Sequence, residues 1–176
     1  MSKVYKNLIA EIHQELGIPA SYAKDRKLLL QYECLDLLPV GIDIFNREVS
    51  MCAKVLPAWK KMKSAALGDG IELQLVSAYR SVEYQKSLFL TKMNAGVSIA
   101  DILKVNAAPG YSEHHTGKAL DLTSPGSECL EESFETTTAF AWLRHYAADH
   151  AFTMSYPRNN KHSLLYEPWH WRHEIK

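Results

Sequence analysis

Residues 112–121 read SEHHTGKALD, and residues 167–170, close to the end of the chain, read EPWH. The first segment brings imidazoles, a glycine turn and a carboxylate together, and the second adds another carboxylate and another imidazole. Zinc accepts histidine nitrogen and carboxylate oxygen, and a catalytic zinc keeps three protein ligands and one open position. Two clusters with complementary ligands therefore predict a metal site, although any single one of the eight histidines is better explained as a surface or core residue.

The composition narrows the class of protein. The chain has 176 residues, of which 47% are hydrophobic and 23% charged, as is typical of one globular domain. Its 20 basic and 20 acidic side chains give a formal charge of zero, so no global field favours a nucleic acid or an anionic membrane as partner. Cys34, Cys52 and Cys129 are far apart in sequence and include no CxxC pair, so we expect reduced thiols rather than a disulfide framework.

The amino terminus predicts an amphipathic helix, because apolar residues recur there at helical spacing between charged ones. A signal peptide requires an uninterrupted apolar stretch of about 7–15 residues, and a membrane span requires about 20. Neither pattern occurs in the sequence, and we therefore expect a cytoplasmic protein that does not enter a membrane.

The rest of the chain predicts an α+β domain whose first third is helical. Further helices are expected over 21–39, 46–67, 81–96, 98–104 and 136–150. Strands are expected over 71–76, 117–123, 151–156 and 164–172. These patterns predict a helical N-terminal extension over 1–68 and a core over 69–176 that carries the metal site.

The two polar segments match the pattern SxHxxGxAxD followed by ExWH. This pattern resembles the VanY-type D-alanyl-D-alanine carboxypeptidases of the LAS group, which also includes VanX-type dipeptidases and Hedgehog-like domains. The match extends to residues 77–81 and 155–157 and covers roughly residues 70–173 in family order and spacing. The resemblance implies a small antiparallel sheet flanked by helices.

The resemblance also implies the roles of individual residues. Zinc would be bound by His114, Asp121 and His170, with Glu167 as the catalytic base. His115 and His173 do not fall on ligand positions, and we expect them behind the ligands or on the surface.

Three further residues match positions that hold the substrate. They would bind its terminal carboxylate or polarise its carbonyl group, and they are Arg80, Gln85 and Ser112. In peptide hydrolysis, attack of water on the scissile carbonyl group places negative charge on the carbonyl oxygen. The fixed cation Arg80 is therefore also expected to take part in catalysis.

The spacing between Glu167 and His170 limits the backbone conformation between these two residues. Peptide hydrolysis at neutral pH lacks a good nucleophile, and zinc supplies one by lowering the pKa of water, whose proton Glu167 would accept. Residues three apart on a regular strand face opposite sides of the sheet. We therefore expect a bulge or bend at Pro168 that turns both side chains toward one cleft.

The resemblance implies a peptidoglycan stem peptide or muropeptide ending in D-Ala as the substrate. For a cytoplasmic enzyme we expect L,D-carboxypeptidase action on recycled tetrapeptides, because D,D-carboxypeptidase action on new pentapeptide precursors would impair ordinary cross-linking. An endolysin-like endopeptidase and a non-catalytic zinc-binding interaction module remain alternatives, although a structural site has no need of Glu167. No protein partner is evident.

Overall fold

The computed structural model describes residues 2–174, which form a mixed α and β structure. The helices are α1 Ser2–Leu16, α2 Tyr22–Asp25, α3 Leu56–Gly68, α4 Val82–Asn94, α5 Ile99–Val105 and α6 Thr138–Tyr146. The strands are β1 Leu37–Ile42, β2 Glu48–Cys52, β3 Gln74–Ser77, β4 Ala119–Thr123, β5 Phe152–Met154 and β6 His170–His173. Short 3-10 helices occupy Glu113–Thr116, Glu132–Thr136 and Ala147–His150.

A four-stranded antiparallel sheet forms the centre of the fold. Its strand order is β3-β4-β6-β5, so β4 lies between β3 and β6. All five residues of β4 are buried, which agrees with its central place in the sheet. The expectation of an α+β fold with a small antiparallel sheet flanked by helices is confirmed.

Two apolar clusters hold the helices in place. The larger one packs α3 and α6 against the sheet, and its fully buried members include Met51, Met62, Leu73, Leu120 and Leu122. The second joins α1, α4 and α5, and it contains Ile9, Ile12, Leu16, Phe89 and Ile102. The amphipathic helix predicted at the amino terminus thus exists as α1, and its apolar face contacts the helices beside the sheet.

The helix predicted over 21–39 is wrong beyond Asp25. Lys27 adopts a positive φ of 52°, which ends helical geometry at once. Further along, the backbone N–H of Gln31 donates to the Gly110 carbonyl and that of Cys34 donates to the His115 carbonyl. Since these hydrogen bonds reach distant parts of the chain, tertiary contacts override the helical periodicity here.

The helix predicted over 46–67 is also wrong in its first ten residues. Residues 48–52 form β2, which pairs antiparallel with β1 in a separate two-stranded sheet. The Asp43 carboxylate closes this hairpin by accepting from the backbone N–H groups of Phe45 and Arg47, and Asn46 has a positive φ of 58°. The helix itself begins at Leu56, with Pro57 in its first turn, where a missing N–H costs nothing.

The predicted extension over 1–68 is therefore not purely helical, because it contains the β1–β2 hairpin. The hairpin and α3 belong to the same apolar cluster as the sheet. The boundary between residues 68 and 69 stays a prediction, and residues 1, 175 and 176 lie outside the described part of the chain. Two strands are shorter than expected. The strand predicted over 71–76 begins only at Gln74, as β3. Of the strand predicted over 164–172, only residues 170–172 form a strand, and this strand, β6, ends at His173.

Two observations bear on the sequence-based exclusions. Among residues 2–174, no helix has both the length and the apolar character required to cross a bilayer. All three cysteines are free, and Cys34 Sγ donates to the Asp36 carbonyl at 3.4 Å.

Candidate metal centre

The register of the sheet brings Asp121 and His170 together. Asp121 lies on the central strand β4, where it pairs with Ser77 of β3 on one side and with His170 of β6 on the other. Directly opposite residues of antiparallel strands have Cβ atoms about 4.5–5.5 Å apart. Two side chains 49 positions apart in sequence thus meet, with His170 Nδ1 at 3.0 Å from Asp121 Oδ1.

His114 reaches the same point from the 3-10 helix that precedes β4. Gly117 ends this helix in the left-handed region, at φ 63°, and its carbonyl accepts from Cys52 N–H at 3.0 Å. A Cβ atom at this position would lie 2.7 Å from that nitrogen, so only glycine fits between the helix and the hairpin. The turn brings His114 Nε2 to 3.2 Å from Asp121 Oδ2.

These three side chains fit a zinc ion. They are all buried, and one potential ligand atom from each lies within 4.8 Å of the others. In tetrahedral zinc with bonds of about 2.0–2.2 Å, neighbouring ligand atoms are separated by about 3.3–3.6 Å. The two histidine nitrogens lie 3.0 Å from Asp121 Oδ1 and 3.2 Å from Asp121 Oδ2, slightly closer than this spacing. His114 Nε2 is moreover buried without a hydrogen-bond partner among residues 2–174, as expected of an atom that donates its lone pair to a metal.

The hydrogen bonds behind the two imidazoles select the tautomers that a metal requires. His114 Nδ1 lies 2.5 Å from the Ala78 carbonyl, which can only accept, so Nδ1 carries the proton and Nε2 is left for the ion. His170 Nε2 lies 3.0 Å from Glu113 Oε2 and donates to it, and Nδ1 lies 3.0 Å from Asp121 Oδ1, where a bound ion would replace the Nδ1 proton.

Glu113 was missed by the sequence reasoning, although it lies within the first motif. Glu113 Oε1 accepts from Arg172 Nη1 at 3.0 Å, so the Glu113 carboxylate contacts both the candidate ligand His170 and Arg172 on β6. Burial opposes ionisation of Glu113, but the contact with His170 lowers its pKa to about 2. The available signal was a carboxylate directly before a ligand histidine in a tight turn.

The electrostatics of the cluster favour a cation. Burial acts to raise the pKa of Asp121, but His114 and His170 hold it well below its usual range. Burial lowers the pKa of His114 to about 4 and would lower that of His170 as well. Hydrogen bonds to Asp121 and Glu113 instead raise the pKa of His170 to about 10. The surplus of negative charge around His170 is the environment that stabilises a divalent metal ion.

Glu167 lies beside the ligands. The backbone turns between Glu167 and His170, where His170 N–H donates to the Glu167 carbonyl at 3.1 Å, and β6 begins only at His170. The bend expected at Pro168 is thereby confirmed, and it brings Glu167 Oε2 to 3.6 Å from His170 Nδ1. Burial raises the pKa of Glu167 to about 7.

A cavity of ≈ 290 Å³ opens next to this cluster, and Arg80, Lys92, Asn106, Asp121 and Glu167 contribute to its lining. Arg80 follows the end of β3, and its guanidinium Nη2 lies 3.7 Å from Asp121 Oδ2. Within the described part of the chain its Nε is buried without a hydrogen-bond partner, so the guanidinium keeps donor capacity for another group.

His115 supports Arg80 from behind. Its Nδ1 donates to the Arg80 carbonyl at 2.7 Å, and its Nε2 accepts from Gly110 N–H at 3.0 Å. Both ring nitrogens are thus occupied by backbone groups. His173 lies on β6 against Phe152, with an edge-on ring contact.

The two other predicted substrate residues are buried. Ser112 directly precedes the 3-10 helix that carries His114. Gln85, on α4, donates from Nε2 to the Ala107 carbonyl at 2.9 Å, and its buried Oε1 has no hydrogen-bond partner among the residues that the structure describes. Neither lines the cavity described above, so their roles as substrate residues stay predictions.

A buried His–Asp–His donor set beside a second carboxylate, carried in part by the two inner strands of an antiparallel sheet, is the arrangement of a metal-dependent hydrolase. Residues 48–175, well over half of the chain, match the model of the VanY family, described as D-alanyl-D-alanine carboxypeptidase. The chain belongs to this family.

The similar proteins agree with this assignment. YodJ of Bacillus subtilis (strain 168) is 30% identical over 174 residues, which are 96% of this chain and 60% of YodJ. The chain thus spans less than two thirds of that relative. The structure of the LdcB LD-carboxypeptidase superposes with a TM-score of 0.72 and 34% identity, over 81% of this chain and 70% of LdcB.

A third comparison extends the likeness of fold. The D,D-pentapeptidase VanY from a VanB-type vancomycin resistance cassette, solved in complex with Zn(II), has a TM-score of 0.61 and 24% identity. The alignment covers 81% of this chain and 80% of that protein.

Proposed function

We propose that this protein is a zinc-dependent carboxypeptidase that removes the C-terminal D-Ala from peptidoglycan stem peptides. The observation that carries the proposal is the convergence of three ligand atoms, one of them an unpartnered buried imidazole nitrogen, beside Glu167. Bound to His114, Asp121 and His170, zinc would polarise the scissile carbonyl and make water a better nucleophile.

Glu167 has the properties of the general base. An efficient base has a pKa near the working pH, and burial places that of Glu167 at about 7. Its carboxylate would accept the proton of the attacking water and return it to the leaving amine of D-Ala. Because the turn at Pro168 brings Glu167 Oε2 to 3.6 Å from His170 Nδ1, the proposed proton acceptor would lie beside the proposed metal ligand.

Arg80 would stabilise the negative charge that develops in the substrate. Its guanidinium lines the cavity and lies 3.7 Å from Asp121 Oδ2, while its backbone is held by His114 and His115. A fixed cation in a partly water-excluded cavity stabilises an oxyanion or a carboxylate more strongly than one in free solvent. Gln85 and Ser112 would complete the contacts to the substrate.

For the preferred substrate we propose a tetrapeptide cut between L-Lys or meso-diaminopimelate and D-Ala, an L,D-carboxypeptidase reaction. The likeness to LdcB, which is an LD-carboxypeptidase, supports this choice. The alternative is D,D-carboxypeptidase action on pentapeptides, which the description of the family model favours.

Release of D-Ala from defined tetrapeptides and pentapeptides, measured side by side with zinc-loaded protein, tests the proposal. We expect faster release from the tetrapeptide, and faster release from the pentapeptide would favour the D,D alternative. The matched control is Glu167→Gln, which should keep zinc and lose turnover by about 10²–10⁴-fold. Zinc-loaded protein that releases D-Ala from neither peptide would refute the proposal.

Action on recycled muropeptides inside the cell requires a cytoplasmic location, which stays a prediction from the sequence. Cell fractionation followed by detection of the protein measures it directly.

A further inference from the structure

One face of α4 runs beside the cavity of the metal centre. Gln85, Phe89 and Lys92 follow one another at spacings of four and three residues, so they share this face. Gln85 and Phe89 are buried, whereas Lys92, in the last turn, is half-buried and lines the cavity together with Arg80 and Glu167. Lys92 thus brings a second cation to the cavity that holds the proposed base.

The ammonium group of Lys92 is held in place but not neutralised. It donates to the side-chain oxygen of Asn106, which also lines the cavity. Within residues 2–174, no carboxylate lies within ion-pair distance of Lys92. An ammonium has three N–H donors, so two remain for a ligand in the cavity.

The arrangement of positive and negative side chains around the cavity favours binding of an anion near Lys92 and Arg80. Burial lowers the pKa of Lys92 and the Arg80 guanidinium lowers it further, while the Glu167 carboxylate acts in the opposite direction. The lining carboxylates of Asp121 and Glu167 belong to the metal centre. The other two, Glu131 and Glu132, are exposed, and Glu132 pairs with Arg158 at 3.1 Å.

We propose that Lys92, acting with Arg80, binds the C-terminal carboxylate of the residue that is released. This inference rests on the proposed function, because a carboxypeptidase substrate carries its free carboxylate only two bonds beyond the scissile nitrogen. A carboxylate between Arg80 and Lys92 would neutralise both cations and fill the free donors of Lys92. Lys92 would therefore restrict cleavage to the last residue of a peptide.

Binding of two probes tests this role without turnover. The probes are acetyl-L-lysyl-D-alanine and its C-terminal carboxamide, which differ only in the charge of the terminal group. Their dissociation constants are measured by calorimetry with zinc-loaded protein that carries Glu167→Gln, so that neither probe is consumed. We expect the acid to bind about 10- to 100-fold more tightly than the carboxamide.

In zinc-loaded protein that carries Glu167→Gln, the further substitution Lys92→Met should reduce the preference for the peptide acid over the carboxamide by about 10-fold or more. Binding of the carboxamide should stay unchanged. Lys92→Arg should retain the preference, because it keeps a cation at the same place. The matched control is Lys104→Met, which removes an exposed lysine of α5 that pairs with Asp101 at 2.7 Å, outside the cavity. Circular dichroism confirms that each variant is folded.

The outcomes separate this inference from the proposed function. A Lys92→Met variant that keeps the full preference for the acid, or a parent protein with no such preference, overturns the role of Lys92. Release of D-Ala by the wild-type protein is measured separately and decides only whether the protein is a carboxypeptidase. Loss of the preference in Lys92→Met supports the inference whichever result that second assay gives.

Discussion

Replacing Glu113 by alanine should weaken the metal centre although Glu113 is not a predicted ligand. The substitution removes the acceptor of His170 Nε2 at 3.0 Å, so the imidazole loses the contact that fixes its orientation and tautomer. The substitution also removes the carboxylate oxygen that Arg172 Nη1 contacts at 3.0 Å. Loss of such a contact behind a ligand histidine lowers metal affinity by about 10–100-fold, equivalent to about 1.4–2.7 kcal/mol.

Zinc affinity is measured by titration against a competing chelator, with thermal unfolding of the metal-free protein as a second readout. Unfolding should show a loss of about 1–3 kcal/mol, because a partly buried arginine has lost its charged partner. Glu113→Gln should fall between the alanine variant and the wild type, since its amide oxygen can still accept from His170. Glu11→Ala, at an exposed glutamate of α1, is the matched control and should change neither quantity. Wild-type zinc affinity in Glu113→Ala would refute the reasoning.

Three further outcomes are expected. Gly117→Ala should lower stability by more than about 1 kcal/mol and reduce zinc content, because the added Cβ would clash with the backbone nitrogen of Cys52. The control is Gly96→Ala, where φ is also positive but the space around a Cβ is open, so this variant measures the backbone strain alone. Equal losses of stability in both variants would exclude the clash. Ser81→Ala removes the acceptor of Tyr84 N–H at the start of α4 and should cost about 0.5–2 kcal/mol in chemical denaturation, whereas an unchanged midpoint would contradict the cap. Chelation of the metal should abolish D-Ala release and zinc should restore it; activity that persists in metal-free protein would rule out a metal mechanism.

Local patterns predicted the elements whose stability is local. The apolar spacing at the amino terminus and the pattern over 81–96 both correspond to helices in the structure, α1 and α4, and Ser81 caps α4 by accepting from Tyr84 N–H. The same kind of pattern failed over 26–39 and 46–55. There the backbone hydrogen bonds run to the segment 110–117 and across the hairpin, and no local periodicity records such partners.

For the site, the two motifs and the family resemblance predicted a group of His114, Asp121, His170 and Glu167, and the structure brings these four side chains together. Their arrangement depended on tertiary structure. Asp121 and His170 meet only because β4 and β6 pair in one particular register, which is set by the packing of the whole sheet.

The contacts around that group likewise come from segments that are remote in the chain. Glu113 reaches His170 across 57 positions, and Lys92 enters the cavity from the far end of α4. Lys92 lies outside both motifs, and a lone lysine is most often a solvated surface residue. Glu113 lies within the first motif, but its position there does not reveal the contact with His170. The chain's residue types therefore determine which metal and which reaction the site can support. Folding alone decides which lone pairs face the ion and which charges face the substrate.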